Sequence, residues 1–173
     1  RTNDMDKAEK ILKKVIELKP DFAFAHKDLG VLYLSKRLFD YAEDEFNTAL
    51  KLAPDSFEIL YEYANYLHAT TDFKKADEYY QKALELDPHH TDALAFSALN
   101  KIQLKDFDKA YEQIQHALHH ETNNDFMYFI AGKIRFLQGE IEDAKMYFVK
   151  SYEIQKTYDC EHMLGLCYFE LKD

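Results

Sequence analysis

Ala8, Ala42, Ala76, Ala110 and Ala144 stand 34 residues apart, and no other feature of this 173-residue chain restricts its fold so tightly. Pro20, Pro54 and Pro88 keep the same spacing, as do Ala49, Ala83, Ala117 and the small Ser151. Bulky residues recur in a fourth phase (Leu12, Phe46, Tyr80, Ile114, Phe148) and small ones in a fifth (Gly30, Ala64, Ala98, Gly132). A period of this length belongs to chains that stack one supersecondary unit on copies of itself, each copy burying its apolar face against the next.

Within the unit, apolar residues fall at helical spacing. They do so in residues 22–35 (FAFAHKDLGVLYLS) and again in 39–52 (FDYAEDEFNTALKL). The links KRL, TTD and LKD are short enough to force the two helices antiparallel. Proline follows the second helix in KLAPD and ELDPH, where it cannot continue the hydrogen-bond ladder. With only 4 glycines and 3 prolines, hairpin turns have little to build on. The spacing therefore predicts an all-α chain of helix-turn-helix units in which Gly30, Ala42 and Ala49 mark close helix approaches.

These residues resemble the tetratricopeptide repeat. The order L-G-x-x-Y, then A-x-x-x-F, a small residue and a closing proline, is met by Leu29, Gly30, Tyr33, Ala42, Phe46, Ala49 and Pro54. The resemblance implies a right-handed α-solenoid of antiparallel helix pairs. Its full repeats are expected at 22–55, 56–89, 90–123 and 124–157, with a second helix alone at 1–21 and a first helix alone at 158–173. The fourth and fifth units depart from the pattern. Lys101 and Arg135 replace the tyrosine, and Thr122 and Lys156 replace the proline. We expect those two units to turn or pack differently. The stems of Lys101 and Arg135 are expected to cover apolar surface with their charges in water; the alternative makes them ligand-facing cations.

With 22 Lys and Arg against 32 Asp and Glu, the formal charge of −10 would repel a phosphate backbone, so no nucleic-acid partner is expected. No apolar run reaches about 18 residues, which excludes membrane insertion by a helix. Cys160 and Cys167 lie seven residues apart on one predicted helix, roughly 10 Å along its axis, too far for a disulfide. Free thiols and the lack of a leader suggest the cytoplasm. No phosphate loop, H-E-x-x-H or C-x-x-C occurs, and the acidic clusters recur as solvated helix faces, so neither a catalytic residue nor a cofactor is expected. His116 and His120 share a helical face and form a candidate metal pair. The sequence offers no third ligand at convincing spacing, and no metal site is expected. His89 and His90 read as a turn and helix start.

The resemblance also implies where a partner binds. The first helices of such arrays line a concave groove that receives a peptide or a partner helix. Its positions here are Phe24, Lys27, Val31 and Leu34; Glu58, Tyr61, Asn65 and His68; Asp92, Ala95, Leu99 and Ile102; then Phe126, Phe129, Lys133 and Phe136, followed by Asp159, His162 and Phe169. An aromatic face with few charges of both signs suits an apolar segment. The carboxylate clamp of chaperone-binding members is not expected. Val31 stands where its Asn belongs, Glu62 lies on the next helix, and Asp92 and Phe96 replace its basic pair. The leading expectation is a non-catalytic protein-interaction scaffold. The alternatives are a regulatory arm of a larger enzyme or peptide sensor, and a self-assembly module.

LGLCYFELKD at 164–173 reads as the opening of a further unit, one residue early, since Gly132 and Gly165 are 33 apart. Residues 4–18 likewise match a second helix without its first. We expect a segment cut in mid-repeat. Its unpaired stripes (Ala8, Ile11, Leu12, Val15; Leu164, Cys167, Tyr168, Leu171) suggest head-to-tail self-association.

Overall fold

A computed structural model describes residues 2–172, with side chains from Asp4 onward. The described residues form ten helices and no strand, divided between two compact units, residues 1–87 and 88–173. The first unit holds α1 (Thr2–Leu18), α2 (Ala23–Ser35), α3 (Phe39–Leu52), α4 (Phe57–Ala69) and α5 (Phe73–Leu86). The second holds α6 (Thr91–Gln103), α7 (Phe107–His120), α8 (Asp125–Gln138), α9 (Ile141–Ile154) and α10 (Tyr158–Leu171). The fold is all-α, built from stacked helix-turn-helix pairs: α2 with α3 and α4 with α5 in one unit, α6 with α7 and α8 with α9 in the other.

Four of the five sequence phases, all but the prolines, become the core. Ala42, Ala76, Ala110 and Ala144 are fully buried, as are Phe46, Tyr80, Ile114 and Phe148 and the small residues Ala49, Ala83 and Ala117. Small residues at the crossing points set how closely helices approach. A Cβ at Gly30 would lie 3.1 Å from the ring of Phe46, and one at Gly132 only 2.8 Å from that of Phe148. In the first unit, Phe46 packs in tilted geometry on Tyr63 and Tyr66, an arrangement that aromatic quadrupoles favour.

The turn inside each pair is built the same way four times. Arg37, Thr71, Lys105 and Gly139 have positive φ (59°, 69°, 60° and 85°) and lie 34 residues apart. Each donates its N–H to the carbonyl three residues back, as Arg37 does to Leu34 and Thr71 to His68. The next residue reaches five back, as Leu38 does to Tyr33 and Asp72 to Leu67. This is the Schellman closure of a helix C-terminus, for which glycine is the unstrained residue; only the fourth turn has one.

The expectation that the last repeats turn differently is corrected for the end of α7 and holds for the link after α9, which has three residues where the others have four. α7 and α9 end at His120 and Ile154, in phase with Leu18, Leu52 and Leu86, although proline follows neither. Glu121 and Gln155 share their φ (−134° and −143°) with Ala53 and Asp87 (−144° and −136°), while ψ opens from 77° and 88° before proline to 102° and 122° where proline is missing. Side chains then restart the helix: Asn124 accepts from Met127 N–H, and Thr157 from Cys160 N–H. Such caps satisfy N–H groups that a helix start leaves without intrahelical partners. The missing residue between Gly132 and Gly165 falls in the link from α9 to α10, because α10 starts one residue early at Tyr158.

Candidate interaction faces and a histidine cluster

In the first unit, α2 and α4 carry the predicted groove residues. Phe24 is 39% exposed, and Lys27 lies over its ring, Nζ 5.8 Å from the centroid and 2.8 Å from the carboxylate of Asp28. Val31 is half-buried. On α4, Tyr61 stacks on Phe57 with ring planes 9° apart, and His68 meets Phe73 edge-on. Asn65 is less available than its position suggests. Its Oδ1 accepts from the hydroxyl of buried Tyr80 at 2.7 Å, and its Nδ2 donates to Glu62 at 3.3 Å. Burial holds the Tyr80 phenol far above its ordinary pKa, so it stays a donor. Asn65 thus serves the core as well as the face.

In the second unit, Leu99 is half-buried on α6 and Phe136 packs at the margin of the core formed by Ala144, Phe148, Cys160 and Cys167. Phe126, Phe129 and Lys133 come together at two adjoining hollows. One, of about 170 Å³, is lined by Asp125, Phe126, Phe129, Ser151, Thr157 and Asp159. The other, of about 290 Å³, is lined by Phe129, Lys133, Asp159, His162 and Met163. Phe126 is 39% exposed at the mouth and tilts onto Phe96, whereas Phe129 rests its inner edge on Phe148. The walls thus offer two aromatic rings, two carboxylates and the cationic Lys133 with His162 beside it. Asp125, Ser151, Thr157 and Met163 were not among the predicted groove residues; they come from the start of α8, the last turn of α9, the α9–α10 link and α10.

Two cations depart from expectation. Lys101 is only 3% exposed, so its charge does not reach water; the hydrogen bond from Lys109, 3.1 Å from Asp106, and in smaller measure the field of Lys101 hold the Asp106 carboxyl below its ordinary range. Arg135 places its guanidinium carbon 3.6 Å above the ring centre of Tyr111, donates to Gln138 at 3.2 Å and lies 3.8 Å from Asp143. Its planar group is spent on stacking inside the unit. Burial, and then the hydrogen bond shared with Tyr111, push the Tyr147 hydroxyl of this polar patch up to about 12.

The stripe of α10 differs from the sequence reading at Cys167, whereas Ile11 of the α1 stripe is exposed as expected. Cys160 and Cys167 are free thiols buried against α9, with Cys160 Sγ donating to the Phe148 carbonyl at 3.0 Å, and burial raises both above the usual thiol range. Cys167 is therefore core, while Tyr158, Tyr168 and Phe169 are the exposed aromatics of α10, so the predicted stripe keeps Tyr168 at the surface. At the other end, α1 is held to α2 through Lys36, whose Nζ lies 2.7 Å from both Asp6 and Glu9.

The link before α6 holds a further grouping. His90 caps α6, its Nδ1 accepting from Ala93 N–H at 3.2 Å. That leaves the preceding residue, His89, turned to the last two turns of α7, where its Nδ1 lies 3.1 Å from Nε2 of His116. His89, His116 and His120 each offer one ring nitrogen, all within 4.8 Å of one another. Desolvation, and then the neighbouring imidazoles of His89, His116 and His119, hold His120 below its ordinary pKa.

Family models described as tetratricopeptide repeat match residues 1–57 and 57–90, and together with the paired helices and the 34-residue phases they decide the family. The chain belongs to the tetratricopeptide repeat family. Among curated proteins, this tetratricopeptide array is 28% identical over 154 residues to the BBSome complex member BBS4 of Bos taurus, covering 88% of the chain and 29% of that protein. It is 34% identical over 110 residues to the mitochondrial import receptor subunit TOM70 of Rattus norvegicus, covering 61% of the chain and 18% of the receptor. The chain thus spans less than a third of the length of these relatives. The solved structure of PilW, a type IV pilus biogenesis factor, superposes with a TM-score of 0.92 at 21% identity, over 99% of this chain and 80% of that one. At that identity the likeness concerns the fold alone. Among the described residues, no helix is long and apolar enough to cross a membrane.

Proposed function

We propose that this tetratricopeptide segment is a non-catalytic scaffold that holds an extended apolar segment of a partner protein against α8 and α10. The observation that carries the reading is the pair of adjoining hollows around Phe129, with exposed Phe126 at their edge and Asp159 common to both walls. An aromatic or aliphatic side chain of the partner seats on Phe126 and Phe129, where burial of each such group contributes about 1.5–3 kcal/mol. Asp125 and Asp159 face a basic group or backbone N–H of the bound chain, and Lys133 with His162 faces an acidic group or carbonyl. Anchors ringed by polar groups of both signs give orientation as well as affinity. A relative named as a complex member and another named as an import receptor fit a binding role.

Replacement of both Phe126 and Phe129 by Ala, with circular dichroism to verify helicity, tests the reading by affinity capture against the unaltered chain. Capture of the same partners in the same amounts by a folded double variant removes it; selective loss of one set of partners supports it.

A further inference from the structure

We infer that His89, His116 and His120 form a three-imidazole site for a first-row divalent transition-metal ion of the zinc, nickel or cobalt type. The site is assembled by two helix ends of the second unit. His116 and His120 are four residues apart in the last two turns of α7, so their rings share one face. His89 arrives from the link before α6, and two contacts fix that link: the His90 cap on α6, and the hydroxyl of Thr91 donating to Glu121, the residue after α7, at 3.0 Å. The three ring centres stand 4.6, 5.1 and 5.2 Å apart.

The distances fit a metal. Bonds of about 2.1 Å at a tetrahedral angle place ligand nitrogens roughly 3.4 Å apart. The His89–His116 pair, at 3.1 Å, already has that separation. The widest separation within the set, up to 4.8 Å, needs closure by about 1.4 Å, which staggered rotation of surface imidazoles provides. The donor set selects the ion. Three imidazoles, with no thiolate or carboxylate among them, suit zinc, nickel, cobalt or copper and do not suit calcium or magnesium. Three protein ligands leave one tetrahedral position for water or for a donor from a bound protein. Because His89 precedes α6 and the other two end α7, the ion cross-links the open end of this helix pair. Binding to the folded arrangement alone stabilises it by mass action.

The test uses the chain without an affinity tag, so that no other histidine run competes. Isothermal titration with zinc and with nickel, and the visible spectrum with cobalt, are expected to show one ion per chain and a raised unfolding midpoint. His89→Ala, His116→Ala and His120→Ala should each weaken binding by at least about tenfold, since loss of even an outer-shell partner costs that much. His119→Ala, which removes the neighbouring imidazole outside the set, should leave affinity unchanged. X-ray absorption of the zinc-loaded wild-type chain, which needs no variant to fold, should count three imidazole nitrogens. Absence of stoichiometric binding, a count of one or two imidazoles, or affinity indifferent to His89→Ala would overturn the assignment.

Discussion

Gly132→Ala and Gly165→Ala, two changes identical in chemistry, should move stability in opposite directions. Both glycines lie inside helices, α8 and α10, where alanine is the better helix former by about 1 kcal/mol. At Gly165 a new Cβ meets nothing within 4 Å, so that gain appears undiminished. At Gly132 the same atom would lie 2.8 Å from Cδ1 and Cε1 of Phe148 and 3.0 Å from Cζ. Phe148 is fully buried between α8 and α10 and cannot swing into solvent. Overpacking of this kind costs about 1–3 kcal/mol. Set against the propensity gain, Gly132→Ala should lie between neutral and about 2 kcal/mol less stable than wild type. Urea titration followed by circular dichroism, with the slope checked for constancy, measures the difference. Adding Phe148→Leu to Gly132→Ala should recover part of the loss by making room. If Gly132→Ala stabilises as much as Gly165→Ala, the close approach of α8 and α9 through Phe148 is wrong, and with it the role assigned to the small-residue phase.

Other expectations follow from single contacts. Thr71→Gly should stabilise the first unit by about 1 kcal/mol, because a β-branched residue at φ 69° occupies a turn that glycine takes without strain; Gly139→Ala should do the reverse, and denaturant midpoints read both. Asn65→Ala should cost about 1–3 kcal/mol by leaving the buried Tyr80 hydroxyl without its acceptor, and Tyr80→Phe in the same chain should restore much of that. Glu9 carries the pH dependence of α1 docking. Its hydrogen bond with Lys13, and then that with Lys36, lower its pKa to about 2, so its stabilisation is present above the ordinary carboxylate value and is lost as pH falls towards 2. The gap in thermal midpoint between wild type and Glu9→Gln should therefore shrink from pH 5 to pH 2; a constant gap refutes the ion-pair account.

The fold was legible because the period and the core are the same fact. Phe46, Tyr80, Ile114 and Phe148 recur every 34 residues because each is the large buried residue of one helix pair, and all four are fully buried. Helix ends proved less dependent on proline than the sequence suggested. At Glu121 and Gln155 extended backbone does the same work, followed by the Asn124 and Thr157 caps. The left-handed turn residues were hidden, since Arg37, Thr71 and Lys105 share a phase but no chemistry; Gly139 was the one visible signal. Lys101 misled because a lysine stem was expected to carry its charge outward, and the packing around α6 encloses it instead. The groove positions Phe126, Phe129 and Lys133 came from the family pattern. Asp125 and Thr157 joined them only through the geometry of loop and cap. His89 was out of reach for a related reason: 27 residues separate it from His116, and only the meeting of the α6 start with the α7 end brings the rings together.

Site-specific photo-crosslinking at residue 126 tests the central claim most directly. A photoreactive phenylalanine analogue replaces Phe126 in one sample and exposed Met146, on α9, in another, and mass spectrometry identifies the proteins and peptides captured after irradiation in cell extract. The account predicts a defined set of protein adducts at position 126, with crosslinked peptides rich in apolar residues, and no such set at position 146. Equal yields and identical adducts at the two positions would contradict it.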